Sequence, residues 1–388
     1  MSYKSLKTIF HMYWLEEVEK EYESRINGVS TYLIDIDMYP IQYGHQKRPI
    51  SYPLFFTITK KLTSHLETVL RNTEKIKTLS MLLPDVANHA YMRHLLINEL
   101  QSTNEIENVK CTKQEIAASI NKTKTHHKRF DGLVGQYMMM NGNEGDVESI
   151  SDIRNLFDQL VSIEVKKEDM PDGIMFRKKP VGVLDDSKNS WIHRNESTEK
   201  EIIEHLQDML TFIKYDEAPQ LFKMMASHFI FEYIHPFYDG NGRVGRYILA
   251  KMLHDTLDPF TALTFSYTVN RNKSKYNKAF ESTSNFYNKG ELTVFIEEML
   301  DLLIEGQQQV LERFEHNNML LEKLSNALEN ITSDKYEYGV LFILLQDKIF
   351  GSHYSRILLK QIETITEFSR NKINSVIQKY ETRISSLN

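Results

Sequence analysis

Twelve consecutive residues, His235-Pro236-Phe237-Tyr238-Asp239-Gly240-Asn241-Gly242-Arg243-Val244-Gly245-Arg246, bring together one imidazole, one carboxylate, an amide between two glycines, and two arginines. An imidazole can take a proton near neutral pH. A carboxylate is a hard oxygen ligand suited to Mg2+. Gly240 and Gly242 permit positive φ, so that backbone N–H groups can be aimed into one concavity. Gly240, Asn241 and Gly242 could then cradle phosphate oxygens while Arg243 and Arg246 neutralise the remaining charge. Each residue alone fits a capped helix with surface charges. Their combination within twelve positions points to an anion site with a base at its edge.

The flanking elements must present this loop. Pro236 disfavours helical geometry at His235, so the preceding helix, which begins at Pro219 and runs through Leu221, Met224, Met225, Phe229 and Phe231, is expected to stop at Ile234. From Arg243 onward Val244, Tyr247, Ile248, Leu249, Met252 and Leu253 follow a helical period. The loop therefore opens a helix, where unpaired N–H groups and the dipole favour an anion. Arg243 and Arg246, spaced i, i+3, share the first turn.

The stretch resembles the signature of the Fic family, H-x-F-x-D/E-G-N-G-R-x-x-R, at every fixed position. The resemblance implies a mainly α fold with a helical core and a β-hairpin flap. It also implies ATP and Mg2+ as nucleotide and metal, and transfer of AMP to a Ser, Thr or Tyr hydroxyl of a target protein. By that match His235 is the general base and Asp239 the magnesium ligand. Asn241, Gly242 and Arg243, with Gly240, would hold the α- and β-phosphates, and Arg246 the γ-phosphate. Fic proteins often carry an inhibitory helix with the pattern S/T-x-x-x-E-G/N, which Thr103, Glu107 and Asn108 match. Glu107 is then expected to pair with Arg246 and misplace the triphosphate. The flap, expected over 176–193, resembles a docking edge on which an extended target segment could present its hydroxyl. Tyr276-Asn277 lies where relatives contact the base.

The chain has 388 residues, 47 Lys and Arg against 53 Asp and Glu, and a net charge of −6, a balance that argues against a whole-protein nucleic-acid footprint. Cys111 is the single cysteine, so no intrachain disulfide forms and a cytoplasmic location is expected. No apolar run is long enough to span a membrane.

In chain order, 4–27 reads as an amphipathic helix with Leu6, Ile9, Phe10, Tyr13, Trp14 and Leu15 on one half. Ile34-Asp35-Ile36-Asp37 alternates as a short strand with its aspartates in water. Helices are expected over 54–82, 85–101, 112–128 (with a Thr112/Glu115 capping box), 149–162, 199–213 and 292–314, and a loop over 130–146. His126-His127 lacks the further ligands of a metal site. Ile174–Lys178 and Val181–Leu184 read as strands before a turn at 185–189. Arg177, Lys178 and Lys179 suit either acidic targets or a solvated, aggregation-resistant edge. His228 reads as a packed histidine. The expected organisation is an N-terminal helical segment (1–89), a Fic core (90–315) and a small C-terminal winged-helix-like domain (316–388). In that last domain Arg370, Lys372, Asn374 and Lys379 would suit phosphate contacts, so 330–388 could bind DNA, or support a protein contact such as a homodimer. The alternatives to AMP transfer are its reversal, with Glu107 positioning a water, transfer of another phosphoryl-type group, and a DNA-binding regulator.

Overall fold

The computed structural model describes residues 3–43, 45–46, 50–121, 129–140, 146–185, 190–354 and 356–385. The first layer is helix α1 (Leu6–Ile26) followed by strands β1 (Thr31–Met38), β2 (Ile41–Gln42), β3 (His45–Gln46) and β4 (Tyr52–Thr57). Then come α2 (Lys60–Met81), α3 (Asp85–Ile106), α4 (Lys113–Ile120), α5 (Asp131–Met138) and α6 (Ile150–Leu160). The hairpin β5 (Val181–Asp185) and β6 (Ser190–Asn195) leads to α7 (Glu199–Tyr215), α8 (Gln220–Ile234), α9 (Asn241–Thr256), α10 (Pro259–Ala262), α11 (Phe265–Arg271) and α12 (Lys273–Thr283). The chain ends in α13 (Thr293–Ile331), α14 (Lys335–Phe350), α15 (Leu359–Thr366) and α16 (Arg370–Ser385). Among the described residues the strands pair as three two-stranded antiparallel sheets: β1–β4, β2–β3 and β5–β6.

The core is built around α8, which is apolar on nearly every face (Leu221, Phe222, Met224, Met225, Phe229, Ile230, Phe231 and Ile234 are all buried). A helix apolar all round must be surrounded, and α7, α9 and α13 pack on it. On β1, Ile34, Ile36 and Met38 face this core while Asp35 and Asp37 stay exposed, as the alternation predicts. The capping box at Thr112/Glu115 is present, and Ile153, Leu156, Phe157 and Leu160 of α6 point inward.

Several elements differ from the sequence expectation, each for a local reason. Tyr52–Thr57 is a strand, not the start of a helix; the helix waits for the Thr59 N-cap, whose hydroxyl accepts from Leu62 N–H at 3.1 Å. Asp131–Met138 is helical despite its glycines, because a Cβ at Gly132 would collide with the Gln159 carbonyl where α5 meets α6. Residues 174–178 form no strand. In α1, Trp14 breaks the helix at φ 71°, and Tyr13, Trp14 and Leu15 are exposed rather than inward. Helix α13 has 39 residues, about 58 Å, and runs through the expected boundary at 315. Beyond it, α14–α16 close a separate small core of Val340, Ile343, Ile362, Ile373, Val376 and Tyr380, with no strand among the described residues. His126-His127 and part of the turn at 186–189 lie outside the described residues.

Candidate active site

Helix α8 ends where Pro236 requires. His235 donates its N–H to the Phe231 carbonyl at 3.0 Å and adopts φ 53°, ψ 62°. A left-handed non-glycine residue is sparsely populated and must be held by its surroundings. Phe237 anchors the loop: it is fully buried, stacked on Phe157 with centroids 4.1 Å apart and set edge-on to Phe176 at 5.5 Å. The Asn241 side chain clasps Phe237 from the other side, accepting from its N–H and donating to its carbonyl, both at 2.9 Å. The Asn241 amide is therefore spent on holding the loop, which leaves the residue's backbone N–H, on the first turn of α9, for a ligand. Gly240 is the α9 N-cap at φ 85°, and a Cβ there would press to 2.7 Å of Val161 Cγ2. Gly242 is already helical, so its role is space rather than positive φ. With no side chain at the N-cap, the first-turn N–H groups of α9 are left for a ligand.

Both arginines of the loop are buried to 1% exposure, and each meets a glutamate. Arg243 Nη1 lies 3.0 Å from Glu164 Oε2, which Arg129 Nη2 also approaches at 3.3 Å. Arg246 donates Nε to the Thr103 hydroxyl and Nη2 to the Thr103 carbonyl, each at 3.0 Å, and Nη2 to Glu107 Oε1 at 2.7 Å. Burial would raise the Glu107 carboxyl, but Arg246, with Arg243 and His235 behind it, holds it below its ordinary value. The Glu107 carboxylate overlies Gly242: a Cβ there would collide with Glu107 Oε1 and come to 2.8 Å of Arg246 Nη1. A carboxylate oxygen thus lies against the first turn of α9.

Thr103 and Glu107 are delivered by the end of α3, which continues past Gln101 instead of giving way to a separate helix. Asn108 closes α3 at φ 57°, with Asn108 N–H to the Glu105 carbonyl at 3.2 Å and Val109 N–H to the Asn104 carbonyl at 2.9 Å. This is the left-handed helix stop that glycine and asparagine tolerate best, which accounts for the residue type after the glutamate.

A cavity of about 350 Å³ opens beside the loop. Its polar end holds Glu107, Glu232, His235 and Arg246; its walls are Phe229, Tyr233, Tyr276 and Phe280. Half-buried His235 is pushed down to about 4 by burial, so the imidazole is neutral at pH 7. Its Nδ1 sits 3.2 Å from the Glu232 carbonyl, which can only accept; the proton is therefore on Nδ1 and the lone pair on Nε2. Burial carries Glu232 up to about 8, against the pull of Arg246. Asp239 is exposed at the rim, with Oδ1 accepting from Gly240 N–H at 2.6 Å. His228 is buried and bonded to the Tyr276 hydroxyl at 2.8 Å, as a packed histidine should be.

The Fic/DOC family model matches residues 149–253, from α6 through most of α9. Residues 149–253 are a Fic/DOC domain. A Fic family protein of Desulfovibrio desulfuricans shares its fold at 16% identity and a TM-score of 0.54, over 86% of this chain and 89% of that one. Looser likenesses are a Fic domain containing signaling protein of Bacteroides thetaiotaomicron (15% identity, TM-score 0.46, 64% and 97% covered) and Fic-1 of C. elegans, residues 134–508 (12%, 0.47, 66% and 74%). No curated protein matches the sequence.

The loop thus brings His235, Gly242 and Arg246 to one cavity with Glu107; of the other expected site residues, Gly240 packs against Val161, Arg243 is turned to Glu164 and Asp239 is exposed, and none of the three lines that cavity. Sequence reasoning missed Glu164 and Glu232. Glu232 stands three residues before His235 on the same helix, a spacing that could have flagged it; Glu164, in the turn after α6, carries no such signal. Arg177, expected at a solvated edge or against acidic targets, is fully buried under the loop. No helix among the described residues is long and apolar enough to cross a membrane.

Proposed function

We propose that this protein is an autoinhibited adenylyltransferase that moves AMP from ATP to a Ser, Thr or Tyr hydroxyl of another protein. The observation that carries the reading is the Glu107 carboxylate seated over Gly242 and paired with Arg246: an anion already sits where an anion would bind. Nucleotide fits the rest of the cavity. The uncapped α9 N-terminus and Arg246 suit phosphates, and the aromatic walls suit a base. Magnesium fits Asp239 in its usual manner, through one carboxylate plus phosphate oxygens and water. Among the described residues no cluster of three ligating side chains exists to hold a metal alone. Bound there, the ion would offset charge building on the phosphates.

In this reading His235 Nε2 takes the proton of the acceptor hydroxyl. The hydroxyl oxygen bonds the α-phosphorus in line, and the bond to the pyrophosphate oxygen breaks. The N–H groups of the first turn of α9 steady the charge on the phosphoryl oxygens. Glu107, holding Arg246, leaves a triphosphate misaimed. The hairpin β5–β6, tied to the loop through Lys179 N–H on the Tyr238 hydroxyl at 2.9 Å, is the edge along which the target segment would lie.

Intact-mass spectrometry of the protein with ATP and magnesium tests the reaction class; a gain of one adenylyl group is expected, larger with Glu107→Gly. His235→Ala should remove it while leaving thermal unfolding unchanged, and persistent labelling would contradict the base assignment. Loss of AMP from a premodified target, abolished by Glu107→Gly, would favour the reverse reaction. In 330–388, Lys379 pairs with Glu337, Arg370 lies 3.7 Å from Glu363 and Lys372 sits 3.4 Å above the Tyr336 ring, contacts with which DNA phosphates would compete.

A further inference from the structure

Arg177 is among the largest fully buried side chains of the protein, and among the described residues no carboxylate pairs with it. A buried guanidinium without a counter-charge is costly unless every N–H is satisfied. Here the five are. Nε donates to the His235 carbonyl at 2.7 Å. Nη2 donates to the Ile234 carbonyl at 3.1 Å and to Asn195 Oδ1 at 3.0 Å. Nη1 donates to the carbonyls of Lys179 at 2.8 Å and Ser197 at 3.2 Å. The Arg177 backbone N–H adds a bond to the Pro236 carbonyl at 3.1 Å. The Asn195 amide returns to the Tyr233 carbonyl at 3.0 Å.

Three parts of the chain meet on this one fork. Ile234 and His235 are the end of α8, where the helix dipole is negative and a cation is favoured. Lys179 lies just before the hairpin; Asn195 and Ser197 lie at its far end. Burial pushes Arg177 down to about 10, so it is still charged at pH 7 and serves as the cation at that helix end.

We propose that Arg177 is the positioning residue of the catalytic base: its fork fixes His235 in a left-handed backbone that a residue before proline would otherwise leave, and makes the aim of the imidazole depend on the seating of the hairpin. The proposal rests on His235 being the base. A target strand adding to the hairpin would then press on the same fork that holds the base. Misplacement of a base by about 1 Å costs on the order of a hundredfold in rate.

The test uses the full chain carrying Glu107→Gly, with Arg177→Lys (charge kept, fork lost) and Arg177→Gln added separately. The expected result is a folded protein whose maximal rate of AMP transfer falls at least tenfold while half-saturating ATP changes less than twofold. In ¹⁵N-histidine spectra His235, a single Nδ1–H tautomer in the parent, should become a mixture. Wild-type maximal rate in a folded Arg177 variant, or a change confined to ATP affinity, overturns the proposal. If both variants fail to fold, Asn195→Ala removes one acceptor and the tie to Tyr233, and the same two readouts decide in the same directions. If the parent shows no AMP transfer at all, the adenylyltransferase reading falls, and the His235 tautomer alone decides whether Arg177 positions the imidazole.

Discussion

Replacing Glu107 by glycine should raise AMP transfer and lower the stability of the nucleotide-free protein at once. Glu107 Oε1 and Arg246 Nη2 are 2.7 Å apart, with Arg246 1% and Glu107 30% exposed. Two unit charges at about 4 Å attract by roughly 4 kcal/mol at an effective dielectric constant of 20. Once the cost of desolvation is set against that attraction, a charge-assisted hydrogen bond of this kind retains about 1.5–3 kcal/mol. A triphosphate must displace that bond before Arg246 can serve it. At about 1.4 kcal/mol per factor of ten, transfer should rise roughly 10- to 150-fold at saturating ATP. Removing one partner also leaves Arg246 without its paired carboxylate, held by its two Thr103 contacts and its bond with the Tyr276 hydroxyl, at a cost of about 3 kcal/mol. The melting temperature without nucleotide should therefore drop by several degrees, and ATP with magnesium should restore more stability to the variant than to the parent. The assays are radiolabel or intact-mass kinetics and thermal unfolding with and without nucleotide. A drop in melting temperature with no gain in transfer would make Glu107 a structural partner of Arg246 and refute the inhibitory reading.

Three further outcomes can be checked. Because burial holds His235 down to about 4, its base form is complete above about pH 5.5; transfer should rise with pH between 4 and 5 and show no inflection near 6.5 where an ordinary histidine titrates. Gly242→Ala places a methyl against Glu107 Oε1 and Arg246 Nη1; the flexible Glu107 can yield, so the fold should survive while calorimetric ATP affinity falls at least tenfold. Glu232, raised from 4.5 to about 8, makes folding more costly as pH climbs above 4.5, and the penalty levels off above about 8. Glu232→Gln should thus leave stability unchanged at pH 4 and add roughly 2 kcal/mol at pH 8.5, allowing for water in the cavity; equal melting temperatures at both pH values would contradict this.

The loop was legible because its chemistry is contiguous: twelve neighbouring residues carry the base, the carboxylate and both arginines, and Pro236 and Gly240 mark the two backbone turns. Glu107 was legible only through the resemblance, since nothing local distinguishes it from any glutamate at a helix end; its meaning comes from Arg246, 139 residues away. Arg177 was misread for the converse reason. Basic neighbours at 178 and 179 suggest a wet edge, and five carbonyl acceptors scattered over residues 179, 195, 197, 234 and 235 leave no trace in sequence. Gly132 reads as a loop residue because a glycine that lets two helices touch looks the same, in sequence, as one that lets a chain turn.

Glu107 stands at the last turn of α3, whose opening turns are held elsewhere by Arg93 on Asp347 and Tyr91 against Phe350. Helix ends fray far more cheaply than helix middles. If Glu107 is the inhibitory group proposed above, melting one turn at residues 104–108 is enough to release it while the shaft of α3 stays bolted to α14. Amide exchange should be fast at 107–109 and slow at 95–100; equal protection along the helix would show that the shaft itself must slide.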